Sequence, residues 1–229
     1  VKHDETVFGV NKDIRGAFSR MGIALSKLQV AQFQRYHDEI IKWNVRANLI
    51  SKRDESRILE RHFLESSALV SCPKFRGHCS VLDLGTGAGF PGLPLKILRP
   101  ELMVTLLDAK RWKVLFLNNI VANMKLTKVW VVNDRAESLA DNRTYFRRFD
   151  VVVSRAVTDL IQLYRLSHPL LKKGGALISL RGSSLLAEWE KFSAAFPAAD
   201  ASIVDLRGRL TPLSDNMHIV TITERPTRD

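Results

Sequence analysis

The stretch Val81-Leu82-Asp83-Leu84-Gly85-Thr86-Gly87-Ala88-Gly89-Phe90-Pro91-Gly92 constrains this chain more than any other. An apolar run with strand character ends in three glycines at alternate positions, and helical text follows. Glycine permits positive φ and close approach of the backbone to a ligand, while the start of the next helix offers free N–H groups. Such a strand–turn–helix unit belongs to α/β architecture, and the text downstream repeats the alternation. Strands are expected at Ser80–Leu84, Met103–Leu107, Val129–Val132, Asp150–Ser154, Ala176–Leu180, Ile203–Leu206 and His218–Thr223. Helices are expected at Pro91–Leu98, Arg111–Asn123, Leu160–His168 and Ser184–Phe196. Strands alternating with helices imply right-handed βαβ units and a mostly parallel sheet covered on both faces. The last two strands have only loop text between them, including Thr211–Asn216, so they should form an antiparallel hairpin at the sheet edge.

Ahead of residue 80 the text is helical. Leu25, Leu28, Phe33, Tyr36, Ile40, Ile41 and Trp43 recur at steps of three and four, with Ser26 placed to cap them. A second amphipathic helix is expected from Asp54 to about Val70, carrying Ile58, Leu59, His62, Phe63 and Leu64. Asn44 and Asn48 read as turn residues between the two, and His62 as a residue that caps or packs these helices. Ser71-Cys72-Pro73-Lys74-Phe75-Arg76-Gly77 is a connector, since Pro and Gly interrupt both helix and strand. The division predicts an N-terminal helical cap over residues 1–75 and a ligand-binding α/β domain over 76–229.

Composition narrows the class of function. The 229 residues are 45% hydrophobic, enough for a sizeable core, and Lys plus Arg exceed Asp plus Glu by 11. A field of that sign favours a polyanionic partner, nucleic acid above all. Two cysteines, Cys72 and Cys79, supply neither a disulfide framework nor a zinc module, so no metal is expected and the compartment should be reducing, the cytoplasm. No apolar run reaches the ~20 residues of a membrane helix, and the charged first ten residues are not expected to act as a signal peptide.

The chemistry of the glycine loop follows from its spacing and its acid. A P-loop would end in Gly-Lys-Ser/Thr, which is missing, and a dinucleotide fold would space its glycines GxGxxG under a pyrophosphate. Here the spacing is GxGxG and Asp83 ends the strand. An anion there repels a pyrophosphate but suits a ligand bearing an ammonium and a sulfonium, which points to S-adenosylmethionine. Asp108 ends the second strand, where a carboxylate can accept both ribose hydroxyls; read alone, it is a helix cap. Asn133–Glu137 closes the third strand beside the place of an adenine edge, and Ser154-Arg155-Ala156 closes the fourth. Ligands of open parallel sheets bind beyond these strand ends. The expected fold is therefore a Rossmann-like, doubly wound S-adenosylmethionine-dependent methyltransferase sheet of about seven strands with an antiparallel edge hairpin and an N-terminal helical extension.

Several segments together resemble one family. DLGTGAGFPG, RPE, TLLDAKRWKVLFL, RAE and FDVVVSRA, preceded by Tyr36, Trp43-Asn44, Asn48-Leu49-Ile50 and Arg61-His62, are similar to the RsmG (glucose-inhibited division protein B) family of bacterial small-subunit ribosomal RNA guanine-N7 methyltransferases. The resemblance covers about Leu25 to Leu180. It implies that the backbone at Gly85 and Phe90, the Ala136-Glu137 pair and Arg155 contact S-adenosylmethionine, with Gly87 and Gly89 completing the loop. Asp83 and Asp108 follow from the general methyltransferase pattern. The implied substrate is a guanine in the decoding-region loop of 16S ribosomal RNA, free or in the small subunit, and the protein is expected to act as a monomer. The chain departs from the family pattern at Glu65, where the family has Asp, at Arg181-Gly182 in place of Lys-Gly, and at Trp112-Lys113 in place of Lys-Arg.

Guanine N7 carries a lone pair and no proton, so methylation there needs alignment rather than a general base. The tetrad of exocyclic amino methylation is missing after the fourth strand, and neither cysteine is placed as the nucleophile of pyrimidine methylation. Arg155 is the candidate catalytic residue, bridging the cofactor carboxylate and the target nucleotide; the competing reading is a structural ion pair with Asp150 or Asp159. Lys110, Arg111, Lys113, Arg143, Arg147, Arg148, Lys172 and Lys173 are candidates for an RNA-facing rim. Two other classes of function stay open at this point: a methyltransferase of another RNA, a protein or a small molecule, and a non-catalytic RNA-binding assembly factor on the same fold.

Overall fold

The computed structural model describes residues 14–75, 77–155, 157–208 and 216–223. Ala156 and Thr211–Asp215 of the expected hairpin loop lie outside these. Seven strands, β1 (Ser80–Leu84), β2 (Met103–Asp108), β3 (Val129–Asn133), β4 (Phe149–Arg155), β5 (Leu171–Arg181), β6 (Asp200–Asp205) and β7 (His218–Thr223), form one sheet of order β3-β2-β1-β4-β5-β7-β6. The first five are parallel; β7 runs antiparallel to β5 and to β6. The order reverses between β1 and β4, and this switch point sets where a ligand can enter. β7, with three of its six residues buried and none exposed, takes the inner place, while the more exposed β6 takes the edge.

Alternation along the strands divides the core. Val81, Val104, Leu106, Val151 and Val153 face one side, packed by α1 (described over residues 14–20), α2 (Lys27–Ala47), α4 (Gly92–Leu98) and α5 (Arg111–Asn123). Leu82, Leu84, Leu107, Val152 and Leu177 face the other, under α6 (Ala136–Asp141), α7 (Leu160–Ser167) and α8 (Leu185–Ala195). Sequence patterning did not anticipate α6, whose six residues bury only Leu139 and so carry no periodic stripe. It also began β5 five residues late, since Leu171 already pairs with Phe149 across a register shift.

At the N-terminus, Ser26 caps α2 in a full capping box: its hydroxyl accepts from the Gln29 amide and the Gln29 side chain accepts from the Ser26 amide. Asn48 ends α2 in the left-handed region at φ 42°, and Asn44 holds the following turn by accepting from the Ile50 amide at 3.0 Å. The expected continuous helix from Asp54 to Val70 is instead a rod of changing pitch. It runs as a 3₁₀ segment Lys52–Arg57, a π-helical segment Leu59–Leu64, one α turn Glu65–Ser67 (α3) and a 3₁₀ segment Ala68–Ser71. π-helical turns re-aim side chains, and this one turns His62 and Glu65 toward the carboxyl end of β4.

The core does not stop at the expected boundary near residue 75. Tyr36 and Phe63 pack with Phe90 of the glycine loop, Phe33 packs on Phe63, and Tyr36 reaches Phe116 of α5, with ring centroids 5.1 to 6.5 Å apart. Phe63 is completely buried at the centre of this stack. Phe63→Ala is expected to cost about 3–5 kcal/mol, the range for emptying a buried phenylalanine site. It should lower a single cooperative unfolding transition followed by circular dichroism. A separate early transition of the N-terminal helices, with the sheet unaffected, would contradict a shared core.

Candidate functional site

A cavity of about 730 Å³ opens at the carboxyl ends of β1, β2, β3 and β4. Of the residues singled out from sequence, Gly85, Gly87, Phe90, Asp108, Ala136, Glu137 and Arg155 line it; Asp83 and Gly89 do not. The division follows from the pleat. Asp83 shares the face of Val81 and lies behind the loop, completely buried.

Asp83 braces the loop. Its Oδ2 accepts from the Thr86 hydroxyl at 2.5 Å and from the Gly92 amide at 2.7 Å. Burial pushes its carboxyl up to about 7, and the two donated hydrogen bonds only partly oppose that rise. Gly89 is buried against Tyr36, whose hydroxyl donates to the Ala88 carbonyl at 2.5 Å; a Cβ on Gly89 would meet both that hydroxyl and Leu93 at 2.5 Å. Gly85, at φ +73°, lies under Val157, which an added Cβ would meet at 2.5 Å. The loop backbone is thus clamped from both sides, and only glycine fits the clamped positions.

Asp108 faces the cavity and holds the loop from its front. Its Oδ2 accepts from the Gly87 amide at 2.9 Å, its Oδ1 from the Lys110 amide at 2.8 Å, and the Lys113 ammonium is 3.7 Å away. Each carboxylate oxygen has a second lone pair, so Asp108 can still accept from ligand hydroxyls. Asn133 fixes the neighbouring strand end by donating to the Asp108 carbonyl at 3.0 Å. Asp134 and Glu137 continue this acidic wall, and Lys110, Lys113 and Arg155 oppose it. A zwitterionic ligand with a hydroxylated sugar matches such a donor set, and the volume is that of an ordinary small-molecule site.

Arg155 is paired, but not with either expected acid. Its Nη2 is 2.8 Å from Glu65 Oε2, and its Nη1 is 3.1 Å from His62 Nδ1. Asp150 sits at the far end of the same extended strand, about 17 Å away at 3.3 Å per residue, where it binds Lys172 at 2.8 Å and Ser80. Asp159 caps α7 by accepting from the Gln162 amide. The buried Glu65 also accepts from Arg61 at 3.0 Å, so one carboxylate serves two guanidinium groups.

His62 stacks on Phe90 with centroids 4.7 Å apart and lines the cavity. Burial, then the Arg155 charge, depresses its pKa to about 3, so the ring is neutral. Arg155 can only donate, which leaves Nδ1 as the acceptor and puts the proton on Nε2. Sequence reasoning treated His62 as packing and missed its place in the cavity wall and the role of Glu65. The Arg61–Ser66 run was the signal available, but nothing in an expected α-helix showed which groups the rod would face. The basic candidates are also divided: Lys110 and Lys113 line the cavity, whereas Lys172 and Lys173 lie at the start of β5, at the other end of the sheet. Among the described residues no group of three or more His, Cys, Asp or Glu side chains is placed to hold a metal ion.

A family model described as rRNA small subunit methyltransferase G matches residues 29–208. The ribosomal RNA small subunit methyltransferase G of Desulfitobacterium hafniense is 40% identical over 188 residues, 82% of this chain and 77% of that protein. The protein of the same name from Oceanobacillus iheyensis is 31% identical over 209 residues, 91% of this chain and 88% of that one. Among solved structures, the fibrillarin pre-rRNA processing protein of Methanococcus jannaschii superposes with a TM-score of 0.55 at 14% identity, covering 70% of this chain and 74% of that one. At that identity the likeness is one of fold.

Asp83 and His62 have opposite effects on stability between pH 4 and 6.5. Asp83, raised from 3.8 to about 7, holds a proton in the fold that the unfolded chain has released, so its contribution is lost as pH rises. His62, lowered from 6.5 to about 3, is neutral in the fold while the unfolded chain binds a proton, so its contribution grows as pH rises. Asp83→Asn should therefore leave a stability that climbs with pH in this window, by up to about 1.4 kcal/mol per pH unit. His62→Gln should leave one that falls. Urea unfolding at pH 4, 5 and 6.5 checks both signs, and identical slopes in the two variants would refute the assignment.

Proposed function

The chain belongs to the rRNA small subunit methyltransferase G family, and from that premise we propose that it transfers a methyl group from S-adenosyl-L-methionine to N7 of a guanine in 16S ribosomal RNA. The observation that carries the reading is the cavity over the switch point, where the glycine loop, Asp108, Ala136-Glu137 and Arg155 meet. When bound, S-adenosylmethionine supplies an electrophilic methyl on a sulfonium. The chain's own task is to hold donor and acceptor in line, since N7 has a free lone pair and no proton to remove.

Asp108 accepts the ribose hydroxyls through the lone pairs left over from the Gly87 and Lys110 amides. The Gly85–Phe90 backbone would hold the amino-acid end of the cofactor, and Ala136-Glu137 would hold its adenine. Arg155, held by Glu65 and His62, would contact the cofactor carboxylate and the target nucleotide. A methylated guanine N7 bears positive charge. The neutral His62 adds none beside it, and Glu65 offsets the charge of Arg155. Lys110, Arg111 and Lys113, at the start of α5, supply phosphate contacts at the cavity mouth. The protein is proposed to act as a monomer in the cytoplasm without a metal, with residues 1–75 as a helical cap on a methyltransferase domain over 76–229. No helix among the described residues is long and apolar enough to cross a membrane.

The test is transfer of labelled methyl to small subunits from a strain lacking this modification. The product should be N7-methylguanosine, cleaved by borohydride and aniline; labelled RNA that resists this cleavage would overturn N7 as the acceptor. Arg155→Ala is expected to lower turnover at least a hundredfold, the scale of a misplacement of ~1 Å. Asp108→Ala should weaken S-adenosylhomocysteine about tenfold or more in calorimetry, from one lost charge-assisted hydrogen bond of about 1.5–3 kcal/mol. Unchanged affinity in a folded Asp108 variant would remove the ribose assignment.

A further inference from the structure

We propose that the opposite pole of the sheet, at the amino ends of β4 and β5, is a second RNA-contact surface that grips phosphate backbone remote from the methylated guanine. The proposal rests on the ribosomal RNA reading above but uses no residue of the cofactor cavity. The loop before β4 is pinned to the start of β5: the Arg147 and Arg148 amides donate to the Pro169 and Leu170 carbonyls at 2.9 and 3.0 Å, and the Ser80 hydroxyl donates to the Arg148 carbonyl at 3.2 Å. Arg143, Arg147, Arg148 and Lys173, all exposed, thereby gather at one end of the molecule. The seven residues of β4 separate them from Arg155 by about 20 Å.

Charge pairing differs between the two poles. Of the cations lining the cavity, Lys113 and Arg155 each lie within 4 Å of a carboxylate, while Lys110 and Arg135 are in no ion pair among the described residues. Among the described residues, Arg143, Arg147, Arg148 and Lys173 are in no ion pair. The acids nearest in sequence are Asp141, two residues before Arg143, which is in no ion pair among the described residues, and Asp150, two after Arg148, which is already engaged by Lys172 and Ser80. Unneutralised cations held this close repel one another, and a polyanion relieves that repulsion while releasing its own counterions.

The aromatic side chains favour RNA over other anions. Phe146 is 55% exposed with the Arg147 guanidinium 5.5 Å from its ring centre, and the Arg148 guanidinium is 5.9 Å from Tyr145. Guanidinium groups beside the exposed Phe146 and the half-buried Tyr145 offer paired donors to phosphate and flat faces to unpaired bases. Beside them is a hollow of about 320 Å³ lined by Lys74, His78, Lys173 and the Gly174-Gly175 backbone, with Asp150 at its wall. A lipid surface is the weaker match, because this pole presents a turn and strand ends rather than an amphipathic helix.

RNA that fills both poles must reach across the molecule, so contacts here bear on affinity for extended RNA and not on chemistry. The test uses the full chain carrying Arg143→Gln, Arg147→Gln and Arg148→Gln with small ribosomal subunits from the unmodified strain. The slope of log K against log salt should shrink by about 2–3, at roughly 0.7–0.9 per lost phosphate contact. KM for subunits should rise more than tenfold, with kcat and S-adenosylhomocysteine affinity retained. Should the triple variant fold poorly, Arg143→Gln alone, on an exposed turn, should reduce the slope by about 1. A folded variant with wild-type slope and KM overturns the proposal, as does loss of binding to anionic phospholipid vesicles with subunit binding unchanged. A reduced slope in a chain whose wild type binds subunits but does not methylate them would sink the functional reading and leave this surface standing.

Discussion

The backbone between Leu84 and Gly92 is held by hydrogen bonds from three directions, and the ligand cavity exists because it is. Asp83 fastens the loop from behind through Thr86 and Gly92, Asp108 fastens Gly87 from the front, and Tyr36 takes up the Ala88 carbonyl from α2. Each partner comes from a different element, so the loop can adopt this path only after β1, β2 and α2 have come together. The cost is a buried carboxyl whose proton affinity is raised by burial. That cost is accepted at the one place where backbone groups must be positioned ahead of any ligand.

The same dependence explains why the N-terminal segment is part of the site. Phe63 and Tyr36 support Phe90, His62 stacks on Phe90, and the π-helical turn brings Glu65 onto Arg155. An α-helical rod of the same sequence would advance its side chains by a different angle per residue and lose that alignment. Glu65 where the family pattern has Asp gives a carboxylate one methylene longer, which here reaches both Arg61 and Arg155.

Charge is distributed as unevenly as packing. A net excess of 11 positive charges is a property of composition, but its effect depends on which cations already have partners. Lys113 and Arg155 at the cavity and Lys172 at the far pole are held to carboxylates and act through position. Lys110 and Arg135 at the cavity, and Arg143, Arg147, Arg148 and Lys173 at the far pole, are in no ion pair among the described residues and act through field. Salt screens the second kind far more readily than the first.

Much of this was legible in the sequence. The apolar run into Gly85-Thr86-Gly87-Ala88-Gly89, the strand–helix alternation after Ser80, and the acids ending β1 and β2 follow from local periodicity and glycine chemistry, which need no partner to act. Family resemblance supplied Ala136-Glu137 and Arg155, and these do line the cavity. Tertiary structure alone decided the rest. It set Asp83 behind the loop rather than toward the ligand, because the pleat assigns faces only once the neighbouring helix is in place. It gave Arg155 to Glu65 rather than to Asp150, because a strand keeps its own ends apart while folding brings a distant helix close. It split one list of basic residues between two poles, because charge in a sequence has sign and number but acquires direction only when the strands that carry it are aligned.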